Sequence, residues 1–480
     1  MSNPANSDLP VAVIGGGPVG LAAAAHLVTR GVPVTLYEAG ETVAAHVRDW
    51  GHVRLFSPWR FNTDATATAI LRAHGWQAPA ADALPTGHDL YAAYLQPLAE
   101  TPLLSGVVET RARVRNVARN GIDKVVSRGR GDRPFALTID DASGRSRVEL
   151  ARAVIDASGT WTSPNPACAS GTPAIGEITA ADRIAYGVPD VLGRDRAIYA
   201  GQRVLVIGGG HSAANVLLDL ARLADADSRL QIAWAVRSTN LARVFGGGAA
   251  DKLPARGALG DDLKRLVDSG RLELVLGFGV ERIERRDDGL FVSQRTEAGR
   301  VLGPIDRIVV CTGQRPDLSM TRELRLDQDP WLESARTLGP MIDPNLHSCG
   351  SVPPHGYRQL AHPEPDYFAV GIKSYGRAPT FLMATGYEQV RSVAAYLAGD
   401  VVAADDVRLV LPETGVCSSD PALSIAASEG CCGGPAPAAV DACCADDAAA
   451  KASGEAGCGC AATAAKPVVA QSCCRSTRNA

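Results

Sequence analysis

Two glycine runs carry the clearest chemistry in this sequence: Gly15-Gly16-Gly17-Pro18-Val19-Gly20 and, about two hundred residues later, Gly208-Gly209-Gly210-His211-Ser212-Ala213. Each follows a short apolar run and opens an Ala/Leu-rich stretch. A strand, a tight glycine turn and a helix N-terminus aim backbone N–H groups and the positive end of a helix dipole at a pyrophosphate, and a side chain in that turn blocks the approach. Gly15, Gly17 and Gly20 therefore form one candidate dinucleotide site, and Gly208, Gly210 and Ala213 a second. Charge separates the two. Glu38 stands about twenty residues past the first run, where a carboxylate accepts hydrogen bonds from both ribose hydroxyls and repels a 2′-phosphate, as FAD requires. Arg237 holds the matching place in the second, with no acid from Trp234 to Asn240, which favours NADPH over NADH.

A different chemistry is concentrated beyond Pro412. No aromatic residue occurs from Glu413 to Ala480, yet nine of the twelve cysteines fall there. They come as Cys431-Cys432, Cys443-Cys444, Cys458-Gly459-Cys460 and Cys473-Cys474, with Cys417 upstream. Neighbouring thiolates on a backbone that cannot build a core suit a soft ion such as As(III), Hg(II), Cu(I) or Zn(II), and the histidines and repeated spacing of a zinc module are missing. Cys168, Cys311 and Cys349 are isolated, which fits inert burial.

These groups must be held by a scaffold, and the pattern describes one. Val11 to Ile14, the helix Leu21 to Thr29 and Val32 to Tyr37 read as a βαβ unit ending at Glu38; Arg203 to Ile207, the helix Ala213 to Leu223 and Gln231 to Val236 read as another ending at Arg237. Apolar runs closing in Asp156-Ala157-Ser158-Gly159-Thr160 and in Cys311-Thr312-Gly313 read as strand-to-crossover connections, where Gly159 and Gly313 turn the chain beside a dinucleotide and the following prolines stop a helix. Alternating segments around Phe135 to Ile139 and Phe291 to Arg295 read as small antiparallel inserts. A helix from about Phe381 to Leu397 has its N-terminus near Thr380 to Thr385, placed to stabilise negative charge at a flavin pyrimidine.

The expected fold class is α/β, with two Rossmann-like units. Residues 1–175 and 338–412 form the FAD-binding unit, 176–337 the NADPH-binding unit and 413–480 a disordered Cys-rich tail. A chain of 480 residues with 46% hydrophobic side chains can bury more than one core, and a net charge of −4 gives no basic field for nucleic acid. The apolar run Val11 to Val28 is interrupted by glycines and lacks a basic leader, so a cytoplasmic protein without membrane attachment is expected.

Gly15 to Gly20, Glu38, Tyr94-Leu95, Ala157-Ser158-Gly159, Gly208 to Ala213 and Thr312-Gly313 together make Val11 to Leu397 resemble the two-dinucleotide-binding flavoproteins, and within them the class B flavin-containing monooxygenases. With its Cys-rich extension the chain looks most like the flavin monooxygenase-like oxidoreductases encoded with arsenic-resistance genes in actinobacteria. The resemblance implies FAD, NADPH, oxygen and a small-molecule substrate. It also implies that Ser57, Trp59 and Asn62 cover the flavin ring, with Tyr375 close by and Gly371 and Thr380 on the cofactor, while Lys373, standing where the family keeps an acid, is expected to face the flavin or the phosphates. Three departures stand against it. The Phe-x-Gly-x-x-x-His hallmark is missing, its nearest counterpart being Ile184-Ala185-Tyr186-Gly187; the usual Gly-Asp is replaced by Gly371-Ile372-Lys373; and the body has no closely spaced cysteine pair of the kind disulfide reductases use. Two alternatives therefore stay open: a metal(loid) or disulfide reductase fed through tail thiols, and a metal(loid)-binding or delivery protein.

Overall fold

The computed structural model describes residues 8–246, 253–294, 299–347, 352–409 and 411, together with residues 451 and 453. All nine tail cysteines, including the eight proposed as metal ligands, and Cys349 lie outside the described residues.

Two parallel five-stranded sheets organise the molecule. The first has the order Tyr367–Ala369, Ala153–Asp156, Val11–Ile14, Val34–Tyr37 and Val108–Glu109; the second has Glu273–Leu276, Gln231–Val236, Arg203–Ile207, Arg307–Val310 and Ile184–Tyr186. Val11 to Ile14 and Val204 to Ile207 are buried throughout because both faces of each sheet are covered, which explains their unbroken apolar runs. One face of the first sheet carries the helices Pro18–Thr29 and Met383–Leu397, and Leu21, Leu27, Val390 and Val393 join a single core there. An antiparallel meander, Arg113–Arg119, Phe135–Asp140 and Ser146–Ala151, covers the other face through Phe135, Leu137 and Ile139. The second sheet repeats the plan with the helices His211–Ala226 and Pro254–Asp268 and the meander Val280–Arg286, Gly289–Gln294 and Val301–Ile305.

The apolar run beginning near Val148 is two strands and not one. Arg152 separates them, so Ser146–Ala151 closes the meander while Ala153–Asp156 enters the parallel sheet.

Register brings the chemistry to one edge. Ile14 pairs with both Tyr37 and Asp156, and Asp156 pairs with Ala369, so the turns after four strands emerge side by side. Ligands of open parallel sheets bind at this carboxyl edge. A buried cluster secures the meander to the last strand's approach: Glu364 accepts from Arg119 Nε at 2.8 Å and from Arg130 Nη2 at 2.7 Å. Among the described residues no helix is long and apolar enough to cross a membrane.

Candidate functional site

In the first turn the glycines divide two tasks. Gly15 has φ +97°, and a Cβ on it would lie 2.7 Å from the Ala157 carbonyl oxygen; a Cβ on Gly20 would overlap the Gly15 carbonyl oxygen. Both are glycine so that strand, turn and helix can touch. Gly17 differs, because a Cβ there meets no heavy atom within 4 Å. It is the N-cap of the helix Pro18–Thr29 and no side chain caps that helix, so its first-turn N–H groups face an open cradle. Glu38 closes one side: its Oε2 accepts the Gly16 N–H and its Oε1 the Gly40 N–H, each at 2.7 Å. The carboxylate is thereby fixed with lone pairs left for ribose hydroxyls. Beside it opens a groove of about 500 Å³ lined by Ala39, Glu41, Arg111, Arg113, Asp140 and Asp141 among others.

The second turn uses the same geometry with more of its glycines exposed. Gly208 has φ +132° and a Cβ on it would overlap the Cys311 carbonyl oxygen, while Gly210, the uncapped helix's N-cap, again has nothing within 4 Å. Ala213, in the place of Gly20, is fully buried and its methyl group is accommodated. Gly209, Gly210 and His211 are exposed. Arg237 is exposed as well, and its Nη1 donates to the Ala169 carbonyl at 3.1 Å. Gly313, at φ +91°, accepts the Asn165 N–H at 2.9 Å, so the two linkers between the units run paired. Gly159, at φ +73°, lies against Ile372. Burial pushes the Cys311 thiol up to about 12 and its Sγ donates to the Gly187 carbonyl, which makes it an inert packing group.

Between the turns stands the loop expected over the flavin. Phe56 meets the His211 ring edge-on at 5.0 Å, which brings this loop to the start of the second fingerprint helix. Ser57 Oγ donates to Asn62 Oδ1 at 2.7 Å, and Asn62 Nδ2 returns a hydrogen bond to the Ser57 carbonyl at 2.6 Å. Tyr387 then donates to the Asn62 carbonyl at 2.8 Å from the helix Met383–Leu397. Trp59 is buried within the core of the first sheet. Tyr94 is also buried, its hydroxyl accepting the Asp64 N–H at 2.9 Å.

Lys373 has buried partners: its Nζ lies 2.7 Å from Asp156 Oδ2 and donates to Ser158 Oγ at 2.9 Å, with the two charged side chains only 3% and 0% exposed. Asp156 also accepts from Ser158 Oγ at 2.6 Å and from Tyr367 at 3.0 Å. A charge this deep needs its counter-ion and hydrogen bonds to be tolerated, and Asp156 supplies them. Tyr367 in turn is held well above its usual pKa by burial and then by Asp156. Asp156 escaped notice as a partner, although an acid closing a buried apolar strand was the available signal.

The neighbouring turn is set by a second buried network. Gly371, at φ +67°, packs on Val19 and donates its N–H to Gln389 Oε1 at 2.8 Å; Gln389 Nε2 donates to His355 Nε2 at 3.0 Å, and His355 Nδ1 donates to the Pro353 carbonyl at 2.9 Å. His355 is thus a neutral imidazole, and burial lowers its pKa. Tyr375 is buried between His355 and Phe381, with ring centroids at 5.7 and 5.3 Å. At the start of the helix Met383–Leu397, the Thr380 and Thr385 hydroxyls are 1% and 2% exposed residues' polar tips without a hydrogen-bond partner among the described residues. Such groups are costly unless something satisfies them. The open Gly17 cradle, the fixed Glu38 and these two hydroxyls fit FAD, and the Gly210 cradle fits a nicotinamide dinucleotide.

The family model for pyridine nucleotide-disulphide oxidoreductases matches residues 9–352. A curated relative, ferredoxin–NADP reductase 1 of Cupriavidus taiwanensis, is 34% identical over 122 residues, which are 25% of this chain and only 29% of that protein. The bacillithiol disulfide reductase of Bacillus cereus superposes with a TM-score of 0.61 at 17% identity, over 82% of this chain and 99% of the other. A flavin-containing monooxygenase from Stenotrophomonas maltophilia gives 0.52 at 22% identity, over 81% and 98%. These two likenesses speak for the fold. The chain belongs to the pyridine nucleotide-disulphide oxidoreductase family, and its cofactors are FAD and NAD(P)H.

Proposed function

We propose that this oxidoreductase takes hydride from NADPH onto FAD and works as a monooxygenase on a small molecule in the cytoplasm. The observation carrying this reading is the loop at the junction of the two fingerprints. It carries an aromatic ring, a hydroxyl and a buried amide but no thiol, from Phe56 against His211 to the closed Ser57–Asn62 pair. The two cysteines among the described residues, Cys168 and Cys311, form no disulfide. Bound FAD supplies the hydride acceptance and the onward delivery of electrons to oxygen. The chain's own residues do the rest. The Gly17 cradle and the helix behind it hold the pyrophosphate, Glu38 orients the ribose, and the N-terminus of Met383–Leu397 with Thr380 and Thr385 stabilises negative charge at the pyrimidine. Ser57 and Asn62 keep their loop shut over the ring and exclude water. Arg237 reads the 2′-phosphate.

A second reading draws on the nine thiols of residues 413–480. There a disulfide between tail cysteines, opened to two thiols, or a reducible metal ion such as Hg(II) held by them, reduced to Hg(0), accepts the two electrons. The two readings separate in one experiment on the FAD-loaded protein: NADPH oxidation with and without oxygen, for the full chain and for a chain ending at Pro412. Oxygen uptake matched by oxygenated product, and unchanged on truncation, supports the monooxygenase. Anaerobic turnover with Hg(II) or a disulfide that disappears on truncation overturns it in favour of the reductase.

A further inference from the structure

A small cationic feature beside the second sheet is not used by the reading above. Cys168, Ala169, Ser170 and Gly171 form a tight turn, closed by the Gly171 N–H on the Cys168 carbonyl at 3.0 Å and completed by Gly171 at φ +80°. Two arginines from the ends of different strands converge on its tip. Arg237, directly after Gln231–Val236, donates to the Ala169 carbonyl at 3.1 Å, and Arg315, beyond Arg307–Val310, donates from Nη2 to the Gly171 carbonyl at 2.9 Å. Their described partners are carbonyls and not carboxylates. Two full positive charges therefore meet on one exposed turn with only neutral acceptors. Ser170 Oγ and Thr172 Oγ1 lie 2.9 Å apart on that turn, Ser170 Oγ also lies 3.0 Å from Cys168 Sγ, and both residues are exposed. The place is also right. Arg237 directly follows Gln231–Val236, at whose end the adenosine ribose of a bound coenzyme lies, and its bond to the Ala169 carbonyl ties the Cys168–Gly171 turn to that end.

We propose that Arg315, Ser170 and Thr172 join Arg237 as a single site for the 2′-phosphate monoester of the coenzyme. A phosphate dianion is a far better acceptor for two guanidiniums than two backbone carbonyls are, and the hydroxyls supply the remaining donors to its oxygens. The inference rests on the NADPH preference proposed above and adds the second arginine and the turn.

The test is equilibrium binding to the FAD-loaded full chain, measured by calorimetry with NADP⁺, NAD⁺, adenosine 2′,5′-bisphosphate and inorganic phosphate. Arg315→Ala should weaken NADP⁺ and the bisphosphate about tenfold, leaving NAD⁺ within about twofold, and Ser170→Ala with Thr172→Ala should weaken the same two ligands about threefold. Inorganic phosphate should compete with the bisphosphate in the native protein and lose that effect in Arg315→Ala. The double hydroxyl variant keeps the test open if Arg315→Ala fails to fold. Equal losses for NADP⁺ and NAD⁺, or no loss in either variant, overturn the inference. If Arg237→Ala is selective against NADP⁺ while Arg315→Ala is not, the inference alone falls; if the native protein binds NAD⁺ as tightly as NADP⁺, the coenzyme reading falls with it.

Discussion

The two glycine turns solve one problem with different exposure to solvent. In the first, Gly20 lets the helix sit on the Gly15 carbonyl, Gly16 is buried, and the carbonyl beneath belongs to Ala157, next to the Asp156–Lys373 pair. In the second, Ala213 takes the place of Gly20, Gly209 and Gly210 are exposed, and the carbonyl beneath belongs to Cys311, whose strand ends at the apolar Val310. A tight, electrostatically locked edge suits a cofactor that stays. An open edge with an exposed arginine suits a coenzyme that must leave after each turnover. Similar fingerprints therefore do not imply similar residence times, because what lies under the turn decides how far it can yield.

The comparison breaks most sharply at Gly20. Gly20→Val should destroy the first unit outright, costing more than about 4 kcal/mol, whereas Ala213→Gly should cost about 1 kcal/mol through helix propensity alone. Denaturant unfolding of the two variants checks this, and similar losses would mean that the turns are not packed differently. Next in size is Asp156→Asn, which strands the buried Lys373 and should cost about 3–5 kcal/mol. Gly17→Ala sharpens the contrast between building and binding: with open space around its Cβ, the apoprotein should melt at the native temperature while FAD affinity falls about a hundredfold. A lowered apoprotein Tm would show that Gly17 serves the fold.

The smallest effect concerns acid. Burial lowers the pKa of His355 and of His362 from the ordinary value of 6.5. Their contribution to stability is therefore present above that value, and below it the unfolded chain binds protons that the folded one refuses, so stability falls as pH falls. Cooling of the melting temperature between pH 7.5 and 5.5 should be partly relieved in His355→Gln, which keeps a side-chain acceptor for Gln389. A slope unchanged by the substitution would remove His355 from the account.

Both turns, both parallel strands around each and both antiparallel inserts were legible because they are local: glycine placement and apolar periodicity act over a few residues. The places of Glu38 and Arg237, each directly after its strand, were legible for the same reason, by their distance from the glycines. What could not be read was set by distant partners. Asp156 finds Tyr367 across 211 residues and Lys373 beside it, and nothing local announces that a lysine after Gly371-Ile372 turns back under the sheet. The Ser57–Asn62 pair is close in sequence but depends on Tyr387, 325 residues further on, to hold its carbonyl. The tail cysteines were legible as chemistry only, and they lie outside the described residues.

The order of the strands sets a schedule for a chain made from its N-terminus. The strands of the second sheet lie between Ile184 and Leu276 and at Arg307–Val310, so that sheet can close while the ribosome is still working. The first sheet has to wait. Its edge at Ala153–Asp156 stays open until Tyr367–Ala369 arrives, Arg119 and Arg130 have no Glu364, Asp156 has no Lys373, and the helix Pro18–Thr29 is only partly covered until Met383–Leu397 docks on it. An unpaired strand edge and an uncovered helix face are the surfaces nascent chains aggregate through. The half of the protein synthesised first is thus the last to become safe, and flavin can be captured only after nearly four hundred residues have left the ribosome.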